Sequence, residues 1–144
     1  MSTSRRDFLS VVAAGSAATC LGPLGGCGQR LSGTYAMGNL ATLAEGGTLS
    51  VADTALAVFR DADGLWATTT ICTHLQCDML IDGTVTAAQQ TCDCHGSVFT
   101  GDGDVVTGPA TRPLENYAVS IDGEGEITVD ADTPVDAGTR TPVP

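Results

Sequence analysis

The sequence predicts a small all-β domain, and three observations carry that expectation. Of its 144 residues, 42% are hydrophobic, only 4% are aromatic and 18 are glycine, which suits a turn-rich β protein better than a helical bundle. Short β-prone stretches recur between turn signals. Beyond the N-terminal segment no stretch carries a good helix signal, and no internal repeat is found. The length fits one domain with a modest core.

Taken from the N-terminus, residues 1–27 read as an address label rather than as part of the fold. Ser4-Arg5-Arg6-Asp7-Phe8-Leu9 is a twin-arginine export signature, followed by a mildly apolar, nearly uncharged stretch to Leu24. That stretch is at the short end for a membrane span, and Pro23 with several small residues weakens it as one. Leu24-Gly25-Gly26-Cys27 resembles a bacterial lipobox, in which Cys27 would be lipidated, so export with a lipid anchor at a membrane surface is favoured over an uncleaved helix. The expected location is the periplasm or the outer face of a bacterial membrane.

Residues 28–130 form the expected folded domain. Thr48–Asp53, Ala55–Arg60 and Leu65–Ile71 are β-prone, the last two joined by the turn Asp61-Ala62-Asp63-Gly64. Asn116–Ile121 and Glu126–Asp130 form a second pair around Asp122-Gly123-Glu124-Gly125. From Ala131 the chain is aperiodic Pro, Asp, Thr and Ala, so residues 131–144 are expected to be a flexible tail.

Charge removes one class of partner. The formal net charge is -11, lysine is absent and the six arginines are scattered, so the sequence has no basic footprint for nucleic acid.

Between the two hairpins lie two boxes, Cys72-Thr73-His74-Leu75-Gln76-Cys77 and Cys92-Asp93-Cys94-His95-Gly96-Ser97, which hold four of the six cysteines and both histidines. In an exported protein two structural disulfides would account for the thiols, but they leave the histidines unexplained. A zinc site would accept two Cys and two His, although zinc motifs usually pair like with like. Haem attachment needs C-x-x-C-H, and this chain has C-x-C-H.

The boxes closely resemble the two signatures of the Rieske family, C-T-H-L-x-C and C-x-C-H-G-S. Gly108-Pro109-Ala110, followed by Pro113-Leu114, is similar to the proline loop that covers the cluster in that family, so the resemblance spans about residues 71–114. It implies stacked antiparallel sheets with a small cluster-binding subdomain formed by two loops. It also implies a 2Fe-2S cluster, with Cys72 and Cys92 on one iron and His74 and His95 on the other, and a disulfide between Cys77 and Cys94. Exchanging two thiolates for neutral imidazoles removes negative charge and raises the potential.

Further roles come with the resemblance. Ser97 stands where the family's serine donates to a cluster sulfide. Phe99 stands where high-potential members carry a tyrosine, so one donor is missing and the potential is expected to be lower. Leu75, Gly108 and Pro109 would shield the cluster or form an apolar docking surface. Gln76 replaces the usual glycine of the first box and Asp93 the usual proline of the second.

The implied function is one-electron transfer without catalytic residues of its own, as the iron-sulfur subunit of a quinol-oxidising cytochrome bc-type complex. An imidazole would take the quinol proton and a cytochrome would receive the electron. The alternative is a small Rieske subunit or carrier serving another exported oxidase, such as arsenite oxidase. A Rieske oxygenase is far less favoured, because its mononuclear iron needs two further histidines and a carboxylate, and both histidines of this chain are already used. A zinc-stabilised binding lipoprotein is the reading from another class.

Overall fold

A computed structural model describes residues 31–144. Ten strands make up nearly all of its regular structure: β1 (Thr34–Asn39), β2 (Thr48–Ser50), β3 (Leu56–Arg60), β4 (Leu65–Thr69), β5 (Gly83–Val85), β6 (Gln89–Cys92), β7 (Ser97–Thr100), β8 (Val105–Thr107), β9 (Asn116–Ile121) and β10 (Glu126–Val135). A single 3-10 turn at Leu40–Thr42 interrupts them, capped by Asn39, whose side chain accepts from Ala41 N at 3.0 Å. Among the described residues no helix is long and apolar enough to cross a membrane. The export signal and Cys27 lie outside the described residues.

The strands form two antiparallel sheets, one of six strands in the order β1-β10-β9-β4-β3-β2 and one of four in the order β5-β6-β7-β8. The larger sheet rolls until its edges β1 and β2 touch, with Leu49 packing against Gly38. Met37, Leu56, Val58, Leu65, Ala67, Tyr117, Ile127 and Val129 fill its inside. A second apolar layer, made of Ala57, Phe59 and Trp66 with Val85 and Ala87, joins the two sheets.

This double coverage explains why β3 and β4 are so legible. Leu56 and Val58 face the inside of the rolled sheet while Ala57 and Phe59 face the four-stranded sheet, so both faces of β3 are buried. A strand covered on both sides reads as a continuous apolar run. The Phe59 and Trp66 rings stack with centroids 5.2 Å apart. A polar seam completes the joint. Trp66 Nε1 donates to Gly101 O at 2.9 Å, and the buried Gln90 donates through Nε2 to Thr68 Oγ1 at 3.0 Å.

The expected hairpins are present, with trimmed ends. The first stretch stops at Ser50 rather than Asp53, because the chain turns there and Asp53 takes a φ of +63°. The flexible tail is corrected. β10 continues to Val135, with Pro134 and Val135 opposite Tyr117 and Asn116 after a bulge. Beyond it, Thr141 bridges to Leu65, and Arg140 is held by Asp61 and Asp102. Composition pointed to disorder, but backbone pairing and one arginine tie this segment to the body.

Candidate metal centre

Three loops converge at one end of the four-stranded sheet: residues 70–82 after β4, residues 93–96 between β6 and β7, and residues 108–115 after β8. The first closes on itself. Cys72 N donates to Cys77 O at 2.8 Å and Gln76 N to Cys72 O at 3.0 Å, while Thr70 Oγ1 donates to Asp78 Oδ1 at 2.8 Å. The second is a tight turn between the paired residues Cys92 and Ser97, closed by Gly96 N donating to Cys92 O at 2.9 Å. Gly96 has a φ of +82°, a backbone region open to glycine and costly for other residues.

These turns bring all six box residues of interest together. Cys77 and Cys94 form a disulfide that links the first loop to the second. The Sγ atoms of Cys77, Cys92 and Cys94 lie within 4.8 Å of one another. Since Cys77 and Cys94 are bonded to each other, the donor free in that group is the Cys92 thiol. Cys72 and Cys92 are buried free thiols in one small core with Met79, Phe99, Ala110 and Leu114. Burial pushes the Cys92 thiol above its usual pKa, and the Cys72 thiol beside it adds to the effect. The rings of His74 and His95 meet edge to face, centroids 4.8 Å apart.

The donor set fits an iron-sulfur cluster. Two thiols sit in one small apolar core, where burial disfavours the charged form of Cys92, and two imidazoles pair on the loops that carry them. His74 Nδ1 is buried with no hydrogen-bond partner among the described residues, which is costly unless a ligand or water takes it. Bound metal cations would repay both costs, because a coordinating thiol is deprotonated outright beside such charge.

The third loop forms a wall. Gly108 and Pro109 are exposed, joined by a cis peptide bond, and Leu75 on the first loop is 62% exposed. Ser97 is fully buried, and its Oγ accepts from Ala110 N at 3.0 Å, so its hydroxyl proton is left for another acceptor. Phe99 is also fully buried, in the same small core as Cys72 and Cys92. One contributor was missed in the sequence. Thr73 Oγ1 donates to Arg112 O at 2.6 Å and fastens the first loop to the third. The disulfide, Ser97 and Thr73 thus tie the three loops pairwise, and nothing in the spacing of Thr73 distinguishes it from any polar loop residue.

Gln76 departs from the family pattern at a strained position, with a φ of +65° at the tip of the first loop. The left-handed region costs a side-chain-bearing residue about 1–2 kcal/mol, and glycine costs about 0.5–1 kcal/mol in chain entropy. Gln76→Gly is therefore expected to stabilise the protein by up to about 1 kcal/mol, read as a higher midpoint in urea. A lower midpoint would show that the glutamine side chain supports the loop.

Fold, loops and donor set together define an iron-sulfur electron carrier. The Rieske [2Fe-2S] domain model matches residues 33–118, and the chain belongs to that family. It is 38% identical over 77 residues to the cytochrome b6-f complex iron-sulfur subunit of Chlorobaculum tepidum, a match covering 54% of this chain and 41% of that one. The chain thus spans about two fifths of the curated relatives it matches first. Among solved structures it is similar to the cyanobacterial plasma membrane Rieske protein PetC3 from Synechocystis, with 27% identity, a TM-score of 0.52 and coverage of 67% of this chain and 98% of that one. It is also similar to the ferredoxin of carbazole 1,9a-dioxygenase from Nocardioides aromaticivorans, with 25% identity, a TM-score of 0.50 and coverage of 69% and 98%.

Proposed function

We propose that the protein passes single electrons through a 2Fe-2S cluster held by Cys72 and Cys92 on one iron and His74 and His95 on the other, as the iron-sulfur subunit of a quinol-oxidising cytochrome bc-type complex. The observation that carries this reading is the paired imidazoles beside two buried thiols, on loops joined by the Cys77–Cys94 disulfide. When bound, the cluster supplies a one-electron redox centre whose potential is raised by its two neutral ligands.

The chain's own residues set how that centre is reached. His95 is exposed, so its ring is open to water and to a partner. Leu75, Gly108 and Pro109 give the rim an exposed, largely uncharged surface on which a cytochrome, an oxidase subunit or quinol would dock. The buried Ser97 offers a hydroxyl proton, and Phe99 presents an apolar ring where a further donor would otherwise stand. Export by the twin-arginine signal and lipidation of Cys27 would hold the domain on the outer face of a membrane, and a disulfide suits that oxidising compartment.

Phe99→Tyr adds a donor beside the Cys72 and Cys92 pair. At about 0.5–1.5 kcal/mol per hydrogen bond, and roughly 59 mV per tenfold change for one electron, the midpoint is expected to rise by about 20–65 mV in voltammetry. An unchanged or lower midpoint contradicts the assignment of Phe99. The reading as a quinol-oxidising subunit is tested by mixing membranes carrying the protein with a short-chain quinol and a c-type cytochrome. Reduction of the cytochrome that needs this protein supports it.

A second reading, a carrier serving another oxidase, is favoured by the similarity to a dioxygenase ferredoxin, whose chain is covered over 98% of its length. Quinol would then leave the centre oxidised, and a purified partner oxidase would exchange electrons with it directly.

A further inference from the structure

The segment after β10 returns to the joint between the two sheets. Leu65 N donates to Thr141 O and Thr141 N to Leu65 O, both at 2.8 Å, and Thr141 Oγ1 donates to Val119 O at 2.7 Å. This pairing delivers Arg140 onto Trp66, with the guanidinium carbon 3.8 Å from the ring centroid. Arg140 Nε donates to Asp61 Oδ2 and Arg140 Nη2 lies against Asp102 Oδ1, each at 2.8 Å. Asp61 belongs to the β3–β4 turn of the larger sheet, and Asp102 to the β7–β8 turn of the smaller one. One side chain therefore grips both sheets.

Exposed ion pairs contribute little, but this one is built differently. The Arg140 side chain is only 17% exposed, faces two carboxylates and lies on an indole face. Burial alone would raise the Asp61 pKa, yet the hydrogen bond and charge of Arg140 hold it below the usual carboxylate value.

The turn that Arg140 holds is also the support of the third loop. Gly101 O accepts from Trp66 Nε1, Asp102 O accepts from Asn116 Nδ2 at 2.9 Å, and Gly103 O accepts from Leu114 N at 2.9 Å. Leu114 packs in the small core with Cys72 and Cys92. A continuous set of contacts runs from the C-terminal segment to the wall of the metal centre.

We infer that residues 136–144 are a strap, and that Arg140 is a positioning residue which fixes the 101–103 turn and, through Leu114, the 108–114 loop over the metal centre. The strap itself stands on the contacts above. Only its consequence for cluster retention rests on the proposed function.

The test uses the holoprotein and four variants: Arg140→Gln, Arg140→Lys, Asp102→Asn, and Ile127→Val in the core of the larger sheet as a control for general destabilisation. Native-state amide exchange is read at Gly103 and Leu114, and bleaching of the visible absorption is followed in excess iron chelator. Arg140→Gln and Asp102→Asn are expected to speed exchange at both amides about tenfold and to bleach severalfold faster. Arg140→Lys, which keeps the charge, should fall between them and the wild type. Ile127→Val should leave both amides at the wild-type rate once its shift in Tm is allowed for. Exchange in Arg140→Gln no faster than in the control overturns the strap, and faster exchange with unchanged bleaching overturns its link to the metal centre. A preparation without iron defeats the cluster reading instead, and the exchange rates still decide the strap.

Discussion

Replacing Cys77 and Cys94 with serine is expected to lower stability by roughly 3 kcal/mol, which for a domain of this size is a fall in Tm of about 10–13 °C. The bridge closes a ring of 18 residues (94 - 77 + 1), from its sequence separation of 17, and the cross-link acts mainly by restricting the unfolded chain. It has a local effect as well. The first and second loops are fastened to each other by this bond, whereas Thr73 and Ser97 fasten them only to the third. Without the bridge the visible absorption should therefore fade at a lower temperature than the strands unfold. A double variant that melts within a few degrees of the wild type would show that the disulfide is incidental to this fold.

His74→Ala is expected to abolish cluster binding, with iron falling from two atoms per chain to near zero and the colour lost. The reason lies in the pocket. His74 Nδ1 is buried and has no partner among the described residues, so its lone pair is placed to take a ligand. Alanine takes away that nitrogen and would leave the imidazole-held iron with His95 as its one protein donor. Circular dichroism should show the strands still present, because the apolar core of the larger sheet is formed without this loop. Retention of iron in His74→Ala would move the ligand assignment to other residues.

Much of the candidate site was legible in the sequence because the residues it brings together are close along the chain. Each turn offers one sulfur and one imidazole, so Cys72 with His74, and Cys92 with His95, stand as short boxes. The buried strands β3 and β4 were legible as apolar runs, and the β9–β10 hairpin from its Asp-Gly-Glu-Gly turn. The strands around the boxes were not. β5 and β8 have three residues each and no buried side chain, so they lack the alternation that marks a half-buried strand. The C-terminal segment was misread for a different reason. Arg140 finds Asp61 79 positions away, and a contact of that separation leaves no mark on local composition. Thr73 belongs with it, since its acceptor Arg112 O is 39 positions on.

The family and the cluster it binds now rest on more than the two boxes. The match over residues 33–118 runs from β1 through the first half of β9, so most strands of the larger sheet belong to the resemblance along with the loops, and β10 lies beyond it. The whole relatives are longer than the stretch matched here, and their place in a cytochrome complex reaches this chain only through the proposal above.

The most direct measurement is the iron and acid-labile sulfide content of the purified protein, taken together with its paramagnetic resonance after reduction. The account predicts two irons and two sulfides per chain and a signal that appears on reduction, with nitrogen coupling from two imidazoles. Colourless protein carrying zinc, or iron without labile sulfide, would contradict it.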